Sequence, residues 1–104
     1  MSQAKYLQFI EQEINSHQVV IFSKTYCPYC ARAKALFQSM PGVDVVVHEI
    51  DAMEDGRLVQ GTLSAYTGQQ TVPNIFVNGK HLGGNDDAQH AHRSGELQKM
   101  LEAV

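Results

Sequence analysis

The stretch that decides the fold is a run of β-formers that leads directly into a helix start, Val19-Val20-Ile21-Phe22-Ser23-Lys24-Thr25-Tyr26-Cys27-Pro28-Tyr29-Cys30. The continuous apolar run over 19–22 is typical of a strand buried on both faces, so we predict a central strand there. Pro28 is favoured in the first turn of a helix, and good helix formers follow it over 31–37. Cys27 is therefore expected at a helix N-terminus.

Regular elements are also predicted on both sides of this stretch. Apolar residues recur at helical spacing over 4–15, which predicts an amphipathic helix that covers one face of the sheet. The β-branched residues of 43–50 predict a second strand, and the helix between the two strands implies that they pair in parallel. A further helix is predicted over 54–66, where apolar spacing is again helical and Gly68 follows.

A hairpin is predicted in the second half of the chain. The dipeptide Asn78-Gly79 lies between two short runs of β-formers, 74–77 and 80–82, and this arrangement is a strong signal for antiparallel pairing. A short helix capped by Asp86 or Asp87 is predicted next, and a last helix through Glu96, Leu97, Met100 and Leu101 follows it.

These elements predict an α/β fold of order α-β-α-β-α-β-β-α, with a four-stranded mixed sheet flanked by helices. A chain of 104 residues has room for one core, so we expect a single domain over 1–104.

Composition narrows the classes of partner. No apolar run approaches the roughly 18 residues that a membrane span requires, so no membrane partner is expected. The formal charge of −3 argues against nucleic acid, whose backbone is bound by clustered Lys and Arg. The first residues lack the basic and apolar segments of a secretory signal, which predicts a cytoplasmic protein.

The two cysteines, Cys27 and Cys30, allow several interpretations. A structural zinc site needs four ligands, and the chain has only this one pair; His90 and His92 are about 200° apart on a helix and are interpreted as surface residues. A permanent disulfide is disfavoured in a reducing compartment. Redox catalysis accounts best for two cysteines around a proline at a helix start, and no metal is expected.

The two thiols are predicted to have different roles. Free backbone N–H groups and the positive end of the helix dipole stabilise a thiolate at Cys27, and Lys24 and Arg32 add positive charge nearby. Cys30, one turn inside the helix, should be less exposed and more basic. We therefore interpret Cys27 as the nucleophile and Cys30 as the resolving thiol, which together form a redox-active disulfide.

Three motifs together resemble the glutaredoxin family over nearly the whole chain. Cys27-Pro28-Tyr29-Cys30 resembles its dithiol centre, Thr71-Val72-Pro73 resembles its loop with a cis proline, and 83–87 resembles its glutathione-clamping turn. The resemblance implies a thioredoxin-like fold. A thioredoxin would instead have Trp before the first cysteine and Gly-Pro between the two, and this chain contains no Trp.

The resemblance also implies a set of glutathione contacts. Lys24 and Gln60 would meet the glycine carboxylate, the backbone of Val72 would pair with the cysteinyl moiety beside Pro73, and the turn would hold the γ-glutamyl end. The implied glutathione-binding residues are Lys24, Cys27, Tyr29, Gln60, Thr71, Val72, Pro73, Gly84, Asn85, Asp86 and Asp87. A solvated loop lysine, an exposed helix glutamine and a helix N-cap are alternative interpretations of Lys24, Gln60 and Asp86.

The function implied is a glutathione-dependent thiol–disulfide oxidoreductase. Glutathione would be the co-substrate, and glutathionylated proteins and protein disulfides would be the substrates of a monomeric enzyme. One alternative is an iron–sulfur cluster that two chains and two glutathiones share through Cys27, although Pro28 stiffens that loop. Another is a thioredoxin-type role supplied with electrons by a reductase protein.

Overall fold

The structure, a computed structural model, describes residues 2–103. This part of the chain contains five α-helices and four strands, with a short 3₁₀ turn at Ile50–Ala52. Their bounds in chain order are α1 Ser2–Ser16, β1 Val19–Ser23, α2 Pro28–Gln38, β2 Val45–Glu49, α3 Gly56–Thr67, β3 Asn74–Val77, β4 Lys80–Gly83, α4 Asn85–Ser94 and α5 Glu96–Glu102.

The four strands form one mixed sheet of order β2-β1-β3-β4. β1 pairs in parallel with β2 and antiparallel with β3, so that Val20 lies between Val46 and Phe76. β3 and β4 form the antiparallel hairpin. The predicted fold class and the central place of the 19–22 run are confirmed.

β1 is buried on both faces because its side chains alternate between two cores. Val19 and Ile21 pack in a cluster with residues of α2, α4 and α5. Val20 and Phe22 pack in a second cluster with residues of α1 and α3. Both faces of the sheet are thus covered by helices, and the C-terminal end of β1 delivers the chain to the start of α2.

The C-terminal region forms a short helix and a last helix, as predicted, although the predicted element order counts only one of them. Gly95 has φ +87°, a left-handed conformation that ends α4, and α5 begins at the next residue. The start of α4 also differs, because the N-cap is Gly84 and neither Asp86 nor Asp87. The backbone of Gly84 lies next to the preceding loop, and a Cβ there would be in ordinary van der Waals contact with the carbonyl oxygen of Pro73 at 3.7 Å.

The hairpin turn has a second structural role. Asn78 and Gly79 have φ of +49° and +81°, as the predicted turn requires. The Asn78 side chain also donates from Nδ2 to the carbonyl oxygens of Met100 at 2.7 Å and Ala103 at 3.0 Å. It therefore binds otherwise unpaired carbonyls at the end of α5 to the sheet.

None of the helices in the described part of the chain combines the length and the apolar character needed to cross a membrane.

Candidate active site

Cys27 occupies the N-cap of α2, with Pro28 in the first turn behind it. Its Sγ accepts a hydrogen bond from the backbone N–H of Cys30 at 3.1 Å. The side chain is partly exposed and forms no disulfide. Cys27 thus lies at a helix N-terminus, as the sequence predicts, with an N–H group of the helix start directed at its sulfur.

Cys30 lies one turn further into α2 and is completely buried. Burial is the main cause that raises the pKa of the Cys30 thiol to about 11, and a hydrogen bond with the Cys27 side chain adds to it. Contacts with the backbone of Lys24 and with the Ser23 side chain act in the opposite direction and are weaker. Cys30 therefore keeps its proton at neutral pH. Because Cys30 is buried, Cys27 is the cysteine of the pair that a substrate can reach.

The turn before Cys27 is held by the segment that follows the neighbouring strand, β2. Asp51 accepts hydrogen bonds from the backbone N–H of Thr25 at 3.0 Å and from the Thr25 hydroxyl. The Thr25 hydroxyl is the main cause that lowers the pKa of Asp51, and the charge of Lys24 contributes to the same shift. The backbone N–H of Cys27 closes the turn on the carbonyl of Lys24 at 3.2 Å.

The loop before β3 lies against the reactive cysteine. The Val72–Pro73 peptide bond is cis, as the resemblance implies. The thiol of Cys27 is directed at the carbonyl oxygen of Val72, with a sulfur–oxygen distance of 3.8 Å. The main chain of Val72 is thus next to the sulfur that would carry a mixed disulfide.

One open cleft of about 470 Å³ unites most of the sequence-predicted binding residues. We name it the turn cleft. Its lining includes Tyr29, Thr71, Val72, Pro73, Gly84, Asn85, Asp86 and Asp87. The ring of Tyr29 is 57% exposed, and the guanidinium of Arg32 lies 5.5 Å from its centroid, so Arg32 is placed over this ring.

Asp86 and Asp87 have different surroundings at the start of α4. Asp87 Oδ2 accepts the backbone N–H of Gly84 at 2.9 Å, which is the half of a capping box that the N3 residue supplies. Asp86 is exposed and lines the turn cleft. Asn85 is buried, and its Oδ1 accepts from Gln89 at 3.2 Å, so its side chain stabilises the helix start.

Lys24 and Gln60 line a different, neighbouring cleft of about 720 Å³, which we name the lysine cleft. The Gln60 amide donates to the carbonyl oxygen of Gln70 at 2.7 Å. Its Oε1 is buried and has no hydrogen-bond partner within the described residues. A buried amide oxygen of this kind is costly to leave unpaired, so the interpretation of Gln60 as an ordinary exposed helix residue is wrong.

Sequence reasoning missed three residues of these clefts. Arg57 and Gln70 line the lysine cleft, and Gln69 lines the turn cleft. Arg57 lies one turn before Gln60 on the same helix, and this spacing could have identified it. Gln69 and Gln70 lie in a loop, where no periodicity indicates the direction of a side chain.

Metal ligands are not grouped around the site. Among the residues that the structure describes, no three His, Cys, Asp or Glu side chains lie close enough together to hold a metal ion. The cluster alternative takes its ligands from two chains and from glutathione, so it stays an alternative.

The comparisons with known proteins agree with this geometry. The sequence model of the family described as Glutaredoxin matches residues 19–82. The chain is similar to glutaredoxin-C4 of Arabidopsis thaliana, with 52% identity over 93 residues that cover 89% of this chain and 68% of the relative. It is also 50% identical over 94 residues to glutaredoxin-C8 of Oryza sativa subsp. japonica, and this match covers 89% of this chain and 69% of the relative.

Among solved structures, a buckwheat glutaredoxin–glutathione complex superposes with a TM-score of 0.90 at 45% identity and covers 95% of this chain and 89% of that one.

Proposed function

Because this chain belongs to the glutaredoxin family of glutathione-dependent thiol–disulfide oxidoreductases, we propose that it transfers glutathionyl groups through Cys27. The substrates are glutathionylated proteins and, in a second mode, protein disulfides. We further propose that it acts as a monomer in the cytoplasm, where glutathione keeps thiols reduced.

In the first step the Cys27 thiolate attacks the glutathione sulfur of a mixed disulfide. A new bond forms between Cys27 and the glutathionyl sulfur, and the protein thiolate leaves and takes a proton from water. In the second step a glutathione thiolate attacks the glutathionyl sulfur on Cys27. Glutathione disulfide forms and Cys27 leaves as a thiolate, which the N–H of Cys30 stabilises at 3.1 Å.

Cys30 serves the second mode. When Cys27 is bound to a protein through a mixed disulfide, Cys30 can lose its proton, attack Cys27 Sγ and release the protein thiol. The Cys27–Cys30 disulfide that results is then reduced by two glutathiones. Burial raises the pKa of the Cys30 thiol, so Cys30 has to lose its proton before it can attack, whereas glutathione can resolve a glutathionyl intermediate without Cys30.

The two clefts support a glutathione site around Cys27. The relative from buckwheat is described as a glutathione complex, and this chain superposes closely on it. Lys24 and Arg57 line the lysine cleft together with Asp51 and Glu54, so a carboxylate bound there would be held by the two cationic side chains themselves and not by a net positive charge of the cleft. Asp86 supplies negative charge to the turn cleft, which suits the ammonium of a γ-glutamyl group.

The single observation that carries the proposal is the asymmetry of the cysteine pair. Cys27 is accessible and accepts a backbone N–H, whereas Cys30 is buried and retains its proton. One exposed nucleophile is sufficient for glutathionyl transfer, and the second thiol is needed only for protein disulfides.

The experiment measures glutathione-dependent reduction of a glutathionylated peptide by wild type, Cys27→Ser and Cys30→Ser. We expect Cys27→Ser to be inactive and Cys30→Ser to retain activity with the peptide while it loses activity with a protein disulfide. Equal loss in both variants would contradict the glutathionyl relay. Turnover with a reductase protein in place of glutathione would favour the thioredoxin-type alternative.

A further inference from the structure

The Gln69 side chain holds the main chain on both sides of Val72. Its Nε2 donates to the carbonyl oxygen of Thr71 at 2.9 Å and to that of Pro73 at 2.9 Å. An amide nitrogen has two hydrogens, so both are used. Of three consecutive carbonyls, two are bound to Gln69 and the middle one, of Val72, faces Cys27.

We propose that Gln69 is a positioning residue that fixes the backbone of Val72 for pairing with the cysteinyl part of the glutathionyl substrate. The inference rests on the proposed function, because it assumes that Val72 pairs with the substrate. Main-chain pairing depends on the direction of N–H and C=O groups, and both follow from the dihedral angles on either side of Val72. A loop that is free to rotate would bind the same peptide with a larger loss of entropy.

Gln69 is itself held by the interior of the protein. Its backbone N–H donates to Thr67 Oγ1 at 3.0 Å, and this hydroxyl donates to the carbonyl of Leu63 at 2.8 Å. Thr67 Oγ1 also accepts from Asn74, which is only 1% exposed. Asn74 Oδ1 accepts from His81 of β4 at 2.8 Å.

This series of hydrogen bonds runs from the sheet through the end of α3 to the loop. Burial keeps the pKa of His81 below its usual value, and the nearby charge of Asp87 opposes this less strongly. A neutral His81 with a proton on Nε2 is the donor that Asn74 Oδ1 needs. The position of Gln69 is therefore linked through Thr67 to the buried Asn74 of β3 before substrate arrives.

A glutamate at position 69 has the same shape and no donor. Its carboxylate would face two carbonyl oxygens and repel them, so Gln69→Glu should displace the loop more than Gln69→Ala does. Gln8→Glu is a matched control, because Gln8 is an exposed glutamine of α1 and the substitution changes charge by the same amount.

The test uses two measurements on wild type, Gln69→Glu, Gln69→Ala and Gln8→Glu. One is the Kd for S-methylglutathione, an analogue that cannot react, measured by calorimetry. The other is the rate at which iodoacetamide alkylates Cys27, a reaction that needs no pairing with Val72. We expect Gln69→Glu to weaken binding about tenfold and Gln69→Ala less, with alkylation within about twofold of wild type.

Three outcomes would overturn the inference. An unchanged Kd in both Gln69 variants would show that Val72 is positioned without this side chain. A parallel loss of alkylation and binding would assign Gln69 a general structural role. If wild type binds no S-methylglutathione and has no glutathione-dependent turnover, the proposed function fails, and the inference fails with it. If wild type binds the analogue and both Gln69 variants bind it equally well, the inference alone fails.

Discussion

The backbone N–H of Cys30 donates to Sγ of Cys27 across 3.1 Å, so Cys30 contacts the proposed nucleophile through its main chain. This contact belongs to the backbone, and it is retained when the Cys30 side chain is replaced. Substitution of Cys30 can therefore separate the redox role of its thiol from its contribution to the N-cap of α2.

Alkylation should distinguish the two cysteines. In reduced protein at pH 7, iodoacetamide should modify Cys27 and leave Cys30 unmodified, because Cys30 is buried and its pKa is about 11. Peptide mass spectrometry after a short reaction measures both sites, and urea-unfolded protein is the control in which both should react. Equal labelling in the folded protein would contradict the assigned roles.

The free energy of unfolding should depend on Cys30 at alkaline pH. The folded protein keeps the Cys30 proton up to about pH 11, whereas an unperturbed cysteine loses it near 9.0. Between these values the unfolded chain binds fewer protons, so the contribution of Cys30 is complete below pH 9 and decreases as pH rises towards 11. Urea unfolding of reduced wild type and Cys30→Ala at pH 7, 9 and 10 measures it. A difference between the two proteins that does not change with pH would refute the prediction.

Two glycines of α3 should respond in opposite directions to alanine. A Cβ on Gly56 would overlap with the carbonyl oxygen of Ile50, whereas nothing lies within 4 Å of a Cβ on Gly61. We expect Gly56→Ala to cost about 2–3 kcal/mol of unfolding free energy. Gly61→Ala should add about 0.5–1 kcal/mol, since alanine favours the helix. Urea unfolding measures both, and a stable Gly56→Ala variant would show that the 3₁₀ turn can move.

Substitution of the adjacent acids of the turn cleft should affect the unfolding free energy differently, although both acids are expected to contribute to substrate binding. Asp87→Ala removes the bond to the Gly84 N–H and should cost about 1 kcal/mol of unfolding free energy. Asp86→Ala removes an exposed carboxylate and should leave stability within about 0.5 kcal/mol of wild type. Both substitutions should raise the KM for a glutathionylated peptide. If Asp86→Ala leaves KM unchanged, that residue does not hold the γ-glutamyl end.

Asn78 should contribute more to stability than its turn conformation requires. Asn78→Asp keeps the shape of the side chain and removes the donor to Met100 and Ala103. The carboxylate would then face carbonyl oxygens, and we expect a loss of about 2 kcal/mol in unfolding free energy. Asn78→Gly accommodates the positive φ and is the control for the turn. An Asp variant as stable as wild type would limit Asn78 to turn formation.

The parts of the fold that follow from local pattern were predictable. The double burial of β1, the Cys27 N-cap and the Asn78-Gly79 hairpin each depend on neighbouring residues in the chain, and the structure confirms all three. The short helix and the last helix of the C-terminal region were also predicted, but the predicted cap at Asp86 or Asp87 was wrong, because the N-cap is Gly84.

The site residues that belong to short sequence motifs could be predicted. The glutathione contacts of Lys24 and Asp86 are still predictions, and the structure places these residues in two neighbouring clefts. The bond of Gln69 to its neighbours depends on the path of a loop, and the cap made by Asp87 depends on how Gly84 meets the helix. No periodicity or compositional pattern in the sequence indicates either of these contacts.

Because the proposed contacts divide between two clefts, a site that uses both of them would select ligands by their length. Gln70 belongs to the lysine cleft, and the next residues, Thr71 and Val72, belong to the turn cleft. A thiol peptide bound to both Lys24 and Asp86 would therefore lie across this segment. Free cysteine would engage one end at most, so the proposed contacts would distinguish a tripeptide thiol from smaller cellular thiols without a closed pocket.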